Sequence, residues 1–97
     1  MNIEAIKLKA AEAADFLKSM ANDRRLIVLC ELVKGERTVG ELEAVVGLSQ
    51  SALSQHLAKM REEGLLATRR EAQSVFYRIE NPDAARLLAL LKNIYCP

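Results

Sequence analysis

The sequence contains no Trp, two Phe, two Tyr, one His and two Cys. Each scarcity excludes something. With aromatics at 4%, the core lacks bulky anchors. A single histidine, His56, has no second His or Cys near it in the sequence, which argues against a metal site or a His-centred catalyst there. Two cysteines alone do not complete a tetrahedral zinc site. No apolar run approaches membrane-spanning length. There are no paired carboxylates, no Ser-His-Asp set, no glycine-rich phosphate loop and no cofactor motif, so an enzyme is the weakest class and no cofactor is expected. Repeats and low-complexity segments are also missing. Net charge is only +1, so bulk composition does not announce a nucleic-acid binder.

What is present is Leu, Ala, Val and Ile, within 97 residues that are 51% apolar. That is the composition of a helical core in one domain spanning 1–97. A chain this short buries only about two thirds of its surface. Helices that share apolar surface with a partner subunit would relieve the shortage. The first 20 residues are charged throughout (Glu4, Lys7, Lys9, Glu12, Asp15, Lys18), unlike a signal peptide. The expectation is a cytoplasmic protein, with no membrane partner and with Cys30 and Cys96 reduced by default.

Ile3, Ile6, Ala10, Ala13, Leu17 and Met20 recur at alternating spacings of three and four, a heptad-like seam on a helix of about 17 residues. It reads equally as a core-facing helix and as an intersubunit one. Asn22 caps a second helix from Asp23 to about Lys34, with Leu26, Leu29, Cys30 and Val33 on its buried face. Thr38 and Glu41 form a capping box for a short helix, Val39 to Val46, burying Val39, Leu42 and Val45 or Val46. Gly47 stops it. Ser49 then caps a helix from Gln50 to Glu63 whose Leu53, Leu57 and Met60 face inward. Two helices around a three-residue turn, the second polar outside, are a helix-turn-helix.

After Gly64 the period changes to that of strands. Leu65–Arg70 and Val75–Ile79 flank Glu71-Ala72-Gln73-Ser74, a β-hairpin wing. Asn81-Pro82 opens a last helix, apolar nearly all round, that needs burial on more than one side. The fold class is therefore mainly α with a β-hairpin: a winged helix-turn-helix of order α-α-α-α-β-β-α, dimeric through its first and last helices.

In such folds the first turns of the second helix enter the major groove. Gln50, Ser51, Ser54 and Gln55 are the candidates for reading bases, since Gln can bond adenine N6 and N7 together and Ser suits bases or phosphates. Ser49, His56 and Lys59 suit phosphate, helped by the helix N-terminus. On the wing, Arg69, Arg70, Gln73 and Arg78 can reach the DNA backbone or a minor groove. Adjacent strand residues face opposite ways, so only one of Arg69 and Arg70 need do so.

The segments Met20-Ala21-Asn22-Asp23-Arg24-Arg25-Leu26, Thr38-Val39-Gly40-Glu41-Leu42, Leu48 to Leu57 and Gly64-Leu65 resemble the ArsR/SmtB family. The resemblance covers nearly the whole chain. It implies a homodimeric winged-helix repressor bound to an inverted repeat in double-stranded DNA and released by a chemical signal. One metal site of that family uses paired cysteines where this sequence has Thr38 and Gly40. Another uses His and acids on the last helix, where only Asp83 is present. Both are missing. The pair Cys30 and Cys96 instead resembles the two-cysteine branch of the BigR/SqrR type, which implies sensing of persulfides or related reactive sulfur through a disulfide or polysulfide link. In that reading Cys96 is attacked first and Cys30, on a mostly buried face, resolves. Alternatives are a regulator, effector-independent or metal-responsive, with structural cysteines, an antagonist of another silencer, and a protein-interaction module using the apolar terminal helices.

Overall fold

The start of each helix is written in one side chain. In the computed structural model, which describes residues 2–96, the helices are α1 (Ile3–Met20), α2 (Asp23–Val33), α3 (Val39–Val46), α4 (Gln50–Glu62) and α5 (Pro82–Tyr95). Asn2, Asn22, Thr38, Ser49 and Asn81 precede them in extended backbone and accept bonds from first-turn amides. Each satisfies a donor that the helix itself cannot. Thr38 and Glu41 close the expected capping box, with Glu41 Oε1 2.9 Å from the Thr38 amide and Thr38 Oγ1 3.2 Å from that of Glu41. Those bonds favour the ionised form and hold the Glu41 carboxyl below its ordinary pKa, the backbone bond with Thr38 contributing most. Gly47 ends α3 in the left-handed region, at φ 71°, where a side chain would be strained. That turn sets α4 across α3.

The strands are β1 (Arg37–Thr38), β2 (Leu66–Glu71) and β3 (Ser74–Ile79), in the antiparallel order β1-β3-β2. The β2–β3 pair is the expected wing, with Arg69 opposite Phe76 and Arg70 opposite Val75. β1 was not expected. It pairs Arg37 with Tyr77 and Thr38 with Phe76, so the wing is joined at its base to the segment entering α3. The wing turn carries Ala72 at φ 55°, the one non-glycine described with positive φ.

Leu29, Leu42, Leu53, Leu57, Met60, Leu65 and Leu88 are the largest fully buried side chains besides Val28. Leu53, Leu57 and Met60 of α4 occupy the core as their spacing predicts. One expectation is corrected, and two readings left open are narrowed. On α2 the buried residues are Val28, Leu29 and Leu32, while Cys30 and Val33 are exposed; the helix is apolar nearly all round, and packing selects a face rotated from the expected one. On α3, Val46 is buried and Val45 is exposed. On α1, Met20 enters the core while Ile3, Ala10, Ala13 and Leu17 stay exposed.

α1 meets the rest of the fold through its last turns, where Phe16, Ser19 and Met20 are the residues drawn in. Its remainder projects. The radius of gyration is 14.6 Å, against about 13 Å for a compact chain of this size, and the longest dimension is 48 Å.

Candidate nucleic-acid interface and cysteine pair

α4 divides its residues cleanly. Leu53 and Leu57 are fully buried, while Ser49, Gln50, Ser51, Ser54, Gln55 and Lys59 are exposed together on the outer side. Ser49 Oγ accepts from the Ala52 amide at 3.2 Å, so it serves the helix start. His56 stands apart. It is half-buried, and its Nδ1 accepts from Arg25 Nε at 3.3 Å.

On the wing the two adjacent arginines differ. Arg69 Nε lies 2.6 Å from Glu36 Oε1, its NH1 lies 2.7 Å from Glu71 Oε2, and its guanidinium sits 4.4 Å from the Phe76 ring centroid. Hydrogen bonds, first with Glu71 and then with Glu36, push its pKa up. Arg70 is exposed and forms no ion pair among the described residues. Gln73 is exposed at the wing tip, and Arg78 NH2 lies 3.4 Å from Glu80 Oε2 at the wing base.

The two cysteines, distant in sequence, line one cavity of about 180 Å³ with Leu26, Leu91, Lys92 and Tyr95. α2 supplies Cys30 and α5 brings Cys96 to it at its C-cap. Both are free and exposed thiols. The Cys30 thiol is pushed above its ordinary pKa, first by its partial burial and then by the neighbouring Cys96, with Lys92 and Lys34 pulling the other way. Among the described residues, no three His, Cys, Asp or Glu gather as a metal-binding group. No helix among them is long and apolar enough to cross a membrane.

A family match, to the bacterial regulatory proteins of the arsR family, covers residues 22–68, from the N-cap of α2 through the capped α3–turn–α4 pair to the first residues of β2. A curated relative, the transcriptional activator HlyU of Vibrio cholerae, is 48% identical over 99% of this chain and 89% of its own. The chain belongs to the ArsR family. It is a DNA-binding transcriptional regulator, and its relatives are regulators rather than enzymes. A structure of reduced HlyU from Vibrio cholerae superposes with a TM-score of 0.91 at 46% identity, covering 98% of this chain and all of that one. The transcriptional repressor BigR from Xylella fastidiosa gives the same TM-score at 41% identity, covering 100% and 99%. The winged helix-turn-helix expectation holds.

Three residues escaped the sequence reading. Arg25 reaches α4 across a gap of 31 positions, and nothing local in the sequence marks it. Lys92 lies beside both thiols, and only the pairing of α2 with α5 reveals this. Glu36, which fixes Arg69, belongs to the same class: a partner visible only after the sheet closes.

Proposed function

We propose that this regulator is a homodimeric repressor, that it reads an inverted repeat through the exposed face of α4 and the wing, and that reactive sulfur releases it by linking Cys30 and Cys96. Gln50, Ser51, Ser54 and Gln55 read base edges, while Ser49, with the α4 N-terminus, and Lys59 meet phosphates. His56, tied to Arg25, contributes to phosphate contact less freely than its position suggests. On the wing, Arg70 and Gln73 reach the DNA, with Arg78 nearer the base. Arg69 keeps the wing's shape.

Dimerisation through α1 and α5 is supported by the apolar residues they expose. Ile3, Leu8 and Leu17 on α1 and Leu90, Ile94 and Tyr95 on α5 are all more than half exposed. A second copy covers both helices in one isologous contact.

The observation that carries the switch is the shared cavity of Cys30 and Cys96. The chemistry balances with a persulfide as the only oxidant. The Cys96 thiolate attacks the outer sulfur of R–S–SH, forming Cys96–S–SH and releasing R–SH. The Cys30 thiol, as thiolate, then attacks Cys96 Sγ and expels hydrogen sulfide, leaving a disulfide. If Cys30 has also taken a sulfur, the same step leaves a trisulfide, whose longer reach relaxes the distance limit of a disulfide. The raised pKa of Cys30 suits the second role, because a mostly protonated thiol is a slow first nucleophile. Reading DNA places the protein in the cytoplasm, where thiols rest reduced. Linking the thiols draws α5 toward α2. It therefore alters the surface that pairs the subunits and the spacing of the two reading heads.

Mass spectrometry after treatment with a persulfide donor tests this. A Cys30–Cys96 cross-link with loss of operator binding is expected, and Cys96→Ser should stay bound. No cross-link, or normal release of Cys96→Ser, would sink the sulfur reading while leaving DNA binding intact.

A further inference from the structure

Arg25 lies on α2, away from the outer face of α4. Its guanidinium nevertheless grips three places. NH1 donates to the Ser19 carbonyl at 2.8 Å, in the last turn of α1. NH1 also lies 3.2 Å from Glu63 Oε1, at the C-cap of α4. Nε donates to His56 Nδ1 at 3.3 Å, in the middle of α4. The Arg25 side chain is 15% exposed and that of Glu63 34%, so the charge is mostly withdrawn from solvent and already matched. His56 and Glu63 are separated by two helical turns and share one side of the helix. A planar, multi-donor group held at both points resists rotation of α4 about its axis as well as sliding along it.

We infer that Arg25 is a positioning residue for DNA recognition, one that fixes the rotation of α4 and thereby the direction in which Gln50, Ser51, Ser54 and Gln55 meet the groove. This rests on the reading of α4 given above. Side chains on a helix reach roughly 5–6 Å from its axis, so a rotation of 10° moves their tips by about 1 Å. The useful range of a hydrogen bond is about 0.5 Å wide. Rotational freedom of that size costs base contacts and leaves phosphate contacts, which tolerate more, largely in place. His56 joins the same device: its Nδ1 accepts from Arg25 Nε.

The test uses the full chain, a duplex selected by the native protein from a random library, and a scrambled duplex of equal length. Arg25→Met should weaken the selected duplex tenfold or more, leave the scrambled duplex unchanged, and leave the salt dependence unchanged. A salt slope reduced by about 0.9, with equal weakening on both duplexes, would mean that Arg25 touches a phosphate and would overturn the inference. His56→Asn keeps an acceptor near the Nδ1 position and should keep the native preference for the selected over the scrambled duplex, whereas His56→Leu should lose that preference as Arg25→Met does. The double variant Arg25→Met/His56→Leu should lose little more than either alone, and additive losses would refute the coupling. If Arg25→Met fails to fold, Arg25→Lys keeps the charge opposite Glu63 but lacks the fork. It should then show the same selective loss, and native affinity from it would also overturn the inference. Gln50→Ala is the control. If it leaves the selected duplex unweakened, the reading of α4 has failed. If it weakens binding while the Arg25 variants do not, only the positioning role has failed.

Discussion

Ala72 sits at the wing tip with φ 55°, a conformation costing a residue with a Cβ about 1–2 kcal/mol. Glycine would remove that strain at the expense of about 0.5–1 kcal/mol of chain entropy. Ala72→Gly should therefore stabilise the fold by about 0.5–1 kcal/mol, raising the melting temperature by a few degrees in a thermal scan. Cys30 gives a second expectation at this scale. Its thiol is held protonated by partial burial and by Cys96, so its alkylation at neutral pH should be slower than that of a free thiol and should accelerate only above the ordinary thiol range. Removing one cause should be visible: in Cys96→Ser the alkylation profile of Cys30 should move to lower pH. An unmoved profile would leave Cys96 without influence on it. The sequence supplied both thiols but not their surroundings. Apolar residues from Leu26 to Val33 ring α2, so periodicity could not choose the face that packing buries, and Cys30 fell on the wrong side of that choice.

Elements were far easier to anticipate than their partners. Asn22, Thr38, Ser49 and Asn81 each place a helix start by chemistry local to three or four residues, and each is an N-cap in the structure. β1 is two residues long, with no period to read, and its existence depends on Phe76 and Tyr77 far along the chain. The same is true of Arg69, whose role is decided by Glu36 and Glu71. That decision is measurable. Arg70→Ala should weaken DNA binding and reduce the salt slope by about 0.9, as loss of one phosphate contact requires. Arg69→Ala should leave the slope nearly intact and instead loosen the wing, seen as faster amide exchange in β2 and β3. At the start of α3, Thr38→Ala should cost about 1 kcal/mol in denaturant unfolding. Because the folded-state pKa of Glu41 is lowered, the stability it contributes is present above the ordinary carboxylate pKa. It is lost as pH falls through the lowered value, and Glu41→Gln should flatten that part of the acid profile.

At the scale of the whole molecule, a single copy leaves too much apolar surface in water. Leu8, Tyr95, Ile94 and Leu90 lie on the two helices whose patterning suggests a partner. If the proposed dimer forms through α1 and α5, replacing Ile94 by Asp should convert it to a monomer in sedimentation and lower operator affinity by tenfold or more, since a monomer engages one half-site. Native stability should rise with protein concentration, and that dependence should vanish in Ile94→Asp.

β1 has a consequence for the DNA. Because Arg37 and Thr38 pair with Tyr77 and Phe76, the wing hangs from the same stretch of backbone that launches α3. In the proposed DNA complex, wing and helix-turn-helix therefore start from one shared base. For the proposed dimer on an inverted repeat, each half-site has to offer a groove and a flanking backbone at one fixed offset. The adjustable quantity is the twist between half-sites. Inserting five base pairs, about half a helical turn, at the operator centre would turn one half-site to the far side of the duplex, where no flexing of the wing can recover it.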